Sequence, residues 1–424
     1  MSTTGHAYDV VVAGSGSAGA TAAIAAARAG ARTLLVERLG FLGGISTAVL
    51  DTFYAFFTPG RRPRKVVSGI FDEVVAALRA EDAAFERPNT YGAGTGITYD
   101  PETLKRVWEE LVLAAGADVL LHAFVHGVER DGERVTGLRL WTKGGERLVG
   151  ARCLVDATGD ADLVHLAGGP YENAARAGAV QSLSTVFRLA NVDVARAEAV
   201  PKEALWERMR SAAASGRYAL PRLEGSIHRT TQEGVMTALL TRVRDVDATD
   251  PEALTRAEIE GRRQCCEYVR FLRDGVPGYE RAVLVSTSPA IGVRESRRVL
   301  GDYVLTADDV LGARRFDDQV ARCGAPIEEH HAGSDTRWVY LEEGLAYGIP
   351  YRSLLPRGVE GLLVAGRCFS ATHDAHASAR SMATCMAMGQ AAGTAAALAA
   401  ATVPRDLGPE HLRARLAADG ADVG

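Results

Sequence analysis

The stretch that decides the fold is Tyr8-Asp9-Val10-Val11-Val12-Ala13-Gly14-Ser15-Gly16-Ser17-Ala18-Gly19, followed by an alanine-rich run from Ala20 to Ala29, then Gly30, Thr33-Leu34-Leu35-Val36 and Glu37. A β-branched apolar run stops at a glycine turn, a helix-forming run follows, and a second apolar run ends in an acid. That order fits the roughly 30 residues of a dinucleotide-binding βαβ unit. Gly14 permits the tight turn, Gly16 lets the backbone approach a pyrophosphate, and Gly19 lets the helix pack on the strand. Ser15 and Ala18 line the same turn, whose free N–H groups and positive helix end face the phosphates. Glu37 lies twenty-one residues after Gly16, placed to accept a ribose hydroxyl, and Arg38 and Gly44 adjoin it. A glycine-rich turn without a ligand is the bland rival, and strand, helix and acid in register argue against it.

At 424 residues the chain exceeds one simple core, which points to two domains. A composition of 47% hydrophobic and 24% charged residues is that of a soluble globular protein. The net charge of −5 gives no electrostatic reason to expect nucleic acid. No basic, apolar leader precedes the first strand, and the alanine-rich stretch near the end is interrupted by Gly389, Gln390 and Gly393. Neither a signal sequence nor a transmembrane helix is expected. Six cysteines lack a CxxC or any metal-ligand spacing, the adjacent Cys265-Cys266 included, so the expectation is a reducing cytoplasm and no metal.

Beyond Glu37, Phe53-Tyr54-Ala55-Phe56-Phe57 leads into the basic Gly60-Arg61-Arg62-Pro63-Arg64-Lys65. A loop with a buried aromatic end and a solvated basic end is the first reading. A lid over an anionic substrate and a membrane-surface contact are its rivals, and membrane contact is not expected. Helices are predicted from Phe71 to Arg79 and from the cap Asp100 to Gly116. Gly92-Ala93-Gly94-Thr95-Gly96 reads as a loop. Residues 119–156 read as a meander with turns at Asp131-Gly132 and Gly144-Gly145. It ends in an apolar strand and the small-residue turn Thr158-Gly159-Asp160, where strand ends converge on a ligand crevice. The region from about 171 to 345 mixes a strand from Ser184 to Leu189, helices from Lys202 to Ala214 and Pro251 to Arg273, and a polar bend near His228. The resulting fold class is α/β: a Rossmann-like domain with a parallel sheet and β-meander (1–170 and 346–424), carrying an inserted α+β substrate domain (171–345).

Four segments then match a family: GSGSAG with Glu37, LVDATGDADL, VRESRRVLGDYVLT, and YGIPYRSLLP…LLVAGRCFSATHDAHASARSMATCMAMGQAAG. The chain resembles the FAD-dependent oxidoreductases of the glutathione-reductase-like flavoprotein superfamily, in a generic bacterial branch. The resemblance implies FAD, with Gly14, Gly16, Gly19 and Glu37 on its adenosine and pyrophosphate side. It also implies that Thr158-Gly159-Asp160 and Gly366-Arg367 pass near the cofactor, and that the segment of Gly389 and Ala391 points at the flavin ring. Val125 joins the expected cofactor contacts. The chain lacks the second nucleotide fold and redox cysteine pair of a glutathione-reductase-type enzyme, so electrons are expected to pass directly between flavin and a small substrate. The terminal acceptor (oxygen, quinone or carrier) stays open, and a homo-oligomer is compatible with all of this.

A flavin moves hydride by itself, so the protein must supply orientation, a base and charge balance. His373 and His376 sit three apart and share a face if helical, with a titration range suited to proton transfer. Hydrogen bonding to flavin or backbone is their structural reading, and covalent flavin attachment is a minor one. Arg294 is the choice, over Arg297 and Arg298, to fork onto a substrate carboxylate, against an internal salt bridge with Glu295 or Asp302. Tyr351 and Arg352, after a proline, could hold substrate against the ring. Arg380, Tyr54 and His228 are weaker candidates. The expected activity is a dehydrogenase or oxidase acting on a small polar, anionic molecule. Rivals are an ene-reductase, a hydroxylase, a flavin-bearing component docking on a membrane or protein, and an NAD-binding protein without flavin.

Overall fold

The computed structural model describes residues 8–89, 94–178, 180–330 and 335–424. Its central sheet is built from β1 Tyr8–Ala13, β2 Thr33–Val36, β3 Asp118–Leu120, β4 Phe124–Asp131, β5 Arg134–Thr142, β6 Gly145–Asp156 and β7 Leu362–Val364. β3, β2, β1, β6 and β7 lie side by side and parallel. β6 is long enough to serve twice. Residues 145–150 pair antiparallel with β5, extending the sheet through β4, while residues 151–156 slot between β1 and β7. The architecture is α/β and Rossmann-like, with the parallel strands reading as continuous apolar runs because both faces are covered.

One face is covered by α1, Ser17–Arg28, and by the helix Met382–Leu398 packed against it. The approach is close because glycines occupy the seam. A Cβ on Gly389 would stand 2.1 Å from the Ala18 carbonyl oxygen, and one on Gly393 would stand 2.1 Å from that of Ala22. Four residues apart, the two glycines share one helix face. The last 40 or so residues are thereby locked onto the opening βαβ unit, with Thr21 Oγ1 donating to the Met386 carbonyl. Gly389 therefore belongs to a helix–helix seam, and neither it nor the buried Ala391 lines the cavity described below, unlike the expectation placed on them.

A second sheet, in the order Ser226–Arg229, Met236–Leu239, Phe187–Ala190, Val283–Thr287, is entirely antiparallel and carries its own core with the helices Lys202–Ala214 and Pro251–Gly275. The 25-residue helix starts where Asp250 accepts from the Glu252 and Ala253 amides and Pro251 fills the first position. The segment around His228, expected as a bend, is an extended strand paired with Met236–Leu239. This second core spans Phe187 to Ala282, whereas Val299, Leu305, Val320 and Tyr347 pack in the first. The chain thus returns to the first core before Val299 rather than at 345.

Phe53 and Phe56 are fully buried and pack on Phe71 and Tyr99, while Arg61 to Lys65 are exposed. The aromatic residues are thus core, and the basic end is solvated. Thr95–Tyr99 is a strand, not part of a loop. Gly92 and Ala93 lie outside the described residues. Among the described residues, no helix is long and apolar enough to cross a membrane.

Candidate active site

A cavity of about 330 Å³ runs from the Gly14–Ala18 turn to the second sheet. At the turn, Gly14 is pressed on the end of β6, where an added Cβ would meet the Ala157 oxygen at 2.5 Å. Gly19 is pressed on the turn itself, at 1.8 Å from the Gly14 oxygen. Gly16 differs: a Cβ there would meet nothing within 4 Å, so its backbone borders open space. Ser17, in the first turn of α1, has a buried Oγ without a partner among the described residues. The helix end offers donors, and α1 itself has no acidic residue in its first turn.

Glu37 is held from behind. Its Oε2 accepts from the Ser15 amide at 2.8 Å and the Ser15 hydroxyl at 2.7 Å, and its Oε1 accepts from the Leu39 amide at 2.8 Å. A carboxylate offers about four acceptor positions, so about one remains for a ribose hydroxyl. The Gly43–Gly44 loop lies on the turn, with Gly43 N donating to Ser15 O. A Cβ on Gly44 would reach Gly16 Cα at 2.8 Å.

The far wall is the end of β6 and the turn after β7. Buried Asp156 accepts from Thr158 and from the Leu163 and Val164 amides, pinning the helix Asp162–Leu166, and burial raises its carboxyl to about 6. Asp160 pairs with Arg367 at 2.8 Å, and both bond Ser296. Burial works against the Asp160 charge, but Arg367 and Ser296 outweigh it and hold its pKa low. Thr158, Gly159, Asp160, Gly366 and Arg367 all line the cavity, together with Arg38. Val125, half-buried opposite Leu140 in β4, does not line it, and neither do Gly19, Gly389 and Ala391.

Of the five side chains expected to act on substrate, only Arg294 borders the cavity. Its Nη1 donates to Ser182 O at 2.6 Å and Ser184 Oγ at 2.9 Å, and its other nitrogens make no hydrogen bond among the described residues. Burial, then the nearby Arg380, push its guanidinium down to about 9. His376 is fully buried behind the wall. Its Nε2 lies 2.7 Å from the Arg367 carbonyl, a donor holding that backbone in place, and burial keeps its pKa down at about 3. His373 bonds Glu295 at 3.0 Å. Burial opposes its charge, but the Glu295 hydrogen bond prevails and raises its pKa. Tyr351 donates its hydroxyl to Pro404 O, and Arg352 is paired with Asp318. None of these four reaches the cavity, so the expected catalytic and covalent-attachment roles of His373 and His376 have no geometric basis. The internal pairing weighed for the arginines falls instead on Arg298, which meets Glu295 and Glu172, and on Arg297, which meets Asp162.

Residues given less weight in the sequence, or none, take their place. Arg380, Tyr54 and His228 line the cavity with Asp51, Arg87 and Glu328. Tyr54 donates to Glu328 Oε2 at 3.0 Å. Burial raises the Tyr54 phenol far above its usual range. Burial opposes ionisation of Glu328, but His330, Arg380 and Arg294 hold it well below the usual carboxylate range. Arg380 Nη2 donates to the Glu328 carbonyl at 3.2 Å, and its Nε is buried without a partner among the described residues. A scattered set from residues 51 to 380 carries no local motif; alternation in the strand Ser226–Arg229 was the one available signal for His228.

With this geometry in place, a family model described as FAD dependent oxidoreductase matches residues 9–416. The chain belongs to that family. FAD is the cofactor of this FAD-dependent oxidoreductase, and the open Gly16 cradle, the acceptor left on Glu37 and the unpartnered Ser17 hydroxyl fit its pyrophosphate and ribose. The solved flavin-dependent brominase Bmp2 is 13% identical with a TM-score of 0.52, over 97% of this chain and 83% of that one. A geranylgeranyl bacteriochlorophyll reductase-like protein from Thermoplasma acidophilum is 15% identical with a TM-score of 0.49, over 98% of this chain and 84% of that one. At such identities the likeness to the brominase is one of fold. No curated protein matches the chain. A flavin enzyme of this family needs a small-molecule substrate and an electron acceptor.

Proposed function

We propose that this oxidoreductase, on a fold of the glutathione-reductase-like superfamily, is a dehydrogenase or oxidase that takes hydride from a small organic acid. The observation that carries the reading is the charge on the cavity wall away from the glycine turn. Beyond burial, Arg380 and Arg222 lie close enough to depress Arg294, and Glu328 is a carboxylate that faces both Arg294 and Arg380. A substrate carboxylate would relieve that excess, and Arg294 retains donors for it. Bound FAD supplies the two-electron acceptor. The chain's part is to hold the acid by Arg294 and Arg380 with its oxidisable carbon toward the Gly366–Arg367 side of the cavity. Tyr54, hydrogen-bonded to Glu328, holds that carboxylate in place.

Anaerobic mixing of the oxidised holoenzyme with panels of small acids, amines and alcohols tests this. Bleaching of the long-wavelength flavin band by carboxylate-bearing donors, and weaker bleaching by their amides, is expected. Reduction by a nicotinamide nucleotide with no response to any carboxylate would favour a hydroxylase instead.

A further inference from the structure

We propose that His228 accepts the substrate proton in this cavity and that Asp51 is the positioning residue that holds its ring for the purpose. The inference rests on the hydride reading above and adds a residue to it. His228 Nε2 lies 2.9 Å from Asp51 Oδ1, and the other Asp51 oxygen accepts the Thr237 hydroxyl. His228 and Thr237 face each other in register across the second sheet, whereas Asp51 follows the short helix Ile45–Ala48 beside the glycine turn. The second core thus delivers the imidazole and the first delivers the carboxylate, and the pair closes where the two meet. Asp51 is only 2% exposed. Burial opposes its charge, but His228, Thr237 and Arg188 hold its pKa down at about 2. An ionised carboxylate only accepts, so Nε2 carries a hydrogen, and in the neutral imidazole Nδ1 is then the nitrogen with the lone pair. Nδ1 is buried and has no partner among the described residues.

His228 borders two cavities. A second cavity of about 380 Å³ shares Arg87, Ser226 and His228 with the first and is lined also by Glu198 and Lys202. The charged groups facing the pair are therefore Asp51, Arg87 from the strand Ala84–Pro88, Arg188 from Phe187–Ala190, and Glu198 and Lys202 across the second cavity. For a hydroxy acid, the O–H bond breaks and its proton passes to Nδ1. The oxygen electron pair forms the C=O bond, and the C–H pair leaves as hydride to the oxidised cofactor. Two electrons and one hydrogen go to the cofactor, and one proton goes to His228.

Two measurements on the holoenzyme decide the matter. ¹⁵N-histidine spectra, with the His228 signals assigned by their loss in His228→Gln, should show the Nε2–H tautomer near neutral pH. That tautomer should lose its dominance in Asp51→Asn. The Nδ1–H tautomer, or an imidazolium persisting to about pH 9, would overturn the proposal. In single-turnover reduction by a donor from the panel, His228→Gln should slow flavin bleaching by ~10²–10⁴-fold and remove the acid limb of the pH profile. If Asp51→Asn does not retain flavin, Thr237→Val, which releases the other Asp51 oxygen, should weaken the preference for the Nε2–H tautomer by less. An unchanged limb and rate in flavin-loaded His228→Gln would overturn the role of His228 and leave the hydride reading standing. If no donor reduces the wild type, the hydride reading itself fails, and the tautomer decides whether the ring is built to accept a proton.

Discussion

Two histidine–carboxylate clusters sit on opposite sides of one wall. His373 and His376 converge on Glu295 behind it, beside Arg298, and Glu295 is held down at about 2 by burial-opposing bonds and charges from His373, His376 and Arg298. His228 and Asp51 stand in front of it, on the cavity. The residue types are nearly the same, and His376 Nδ1 and His228 Nδ1 both lack a hydrogen-bond partner among the described residues, yet only the second cluster borders the cavity. Nearness in sequence to the Gly366 turn brought the first pair under suspicion, but the helix His373–Ala379 turns its histidines toward the strand Arg297–Val299 and away from the cavity. What separates the two clusters is access to the cavity, not the residue list.

The sharpest way to break this contrast is to swap the same substitution between the two sides. His228→Gln should slow reduction by ~10²–10⁴-fold, while His373→Gln should leave the reductive rate close to wild type in stopped-flow traces. Equal losses would erase the distinction. Stability should show the reverse ranking. Glu295→Gln leaves Arg298 buried beside a neutral amide and should cost about 3–5 kcal/mol in denaturant unfolding of the holoenzyme.

Substrate affinity belongs to the cavity side alone. Arg294→Gln should raise the KM for a carboxylate donor by ~10–100-fold, the loss of a charge-assisted hydrogen bond, with little change for a neutral alcohol. On the other side, His376 contributes to the acid dependence of stability, in the same sense as buried His330. The unfolded chain takes up its proton through 6.5, but the folded protein resists until about 3. Stability therefore falls as pH drops between those values, and His376→Gln should flatten that limb in melting curves. Glu295 adds a loss that overlaps its lower end, as pH falls from 4.5 toward about 2. Smallest of all should be Arg352→Gln, whose half-exposed pairing with Asp318 contributes at most about 1 kcal/mol.

The opening unit was legible because each of its constraints is local. The glycines, the apolar runs and Glu37 lie within one short stretch, and their register follows from strand and helix periods. Asp100, Pro251 and the meander glycines announced their elements in the same way, with Gly132 and Gly145 both at positive φ. The seam at Gly389 and Gly393 was misread because a glycine that admits a second helix and one that admits a ligand look the same in one dimension. The cavity wall was hardest. Asp51, Tyr54, His228, Glu328 and Arg380 meet only after the second core folds over the first, and no spacing rule connects them. Arg294 was found because a cluster of arginines is conspicuous anywhere, but the pattern alone did not separate it from Arg297 and Arg298 by partner.

The central claim is that FAD and substrate share the cavity between the glycine turn and the second sheet. A crystal structure of the holoenzyme with a bound carboxylate substrate or inhibitor tests it most directly. The account predicts pyrophosphate at Ser15–Ser17, the flavin ring near Gly366 and Arg367, and the carboxylate on Arg294 with His228 Nδ1 in reach of the reacting carbon's substituent. A flavin edged instead by His373, or a carboxylate bound away from Arg294 and Arg380, would contradict it.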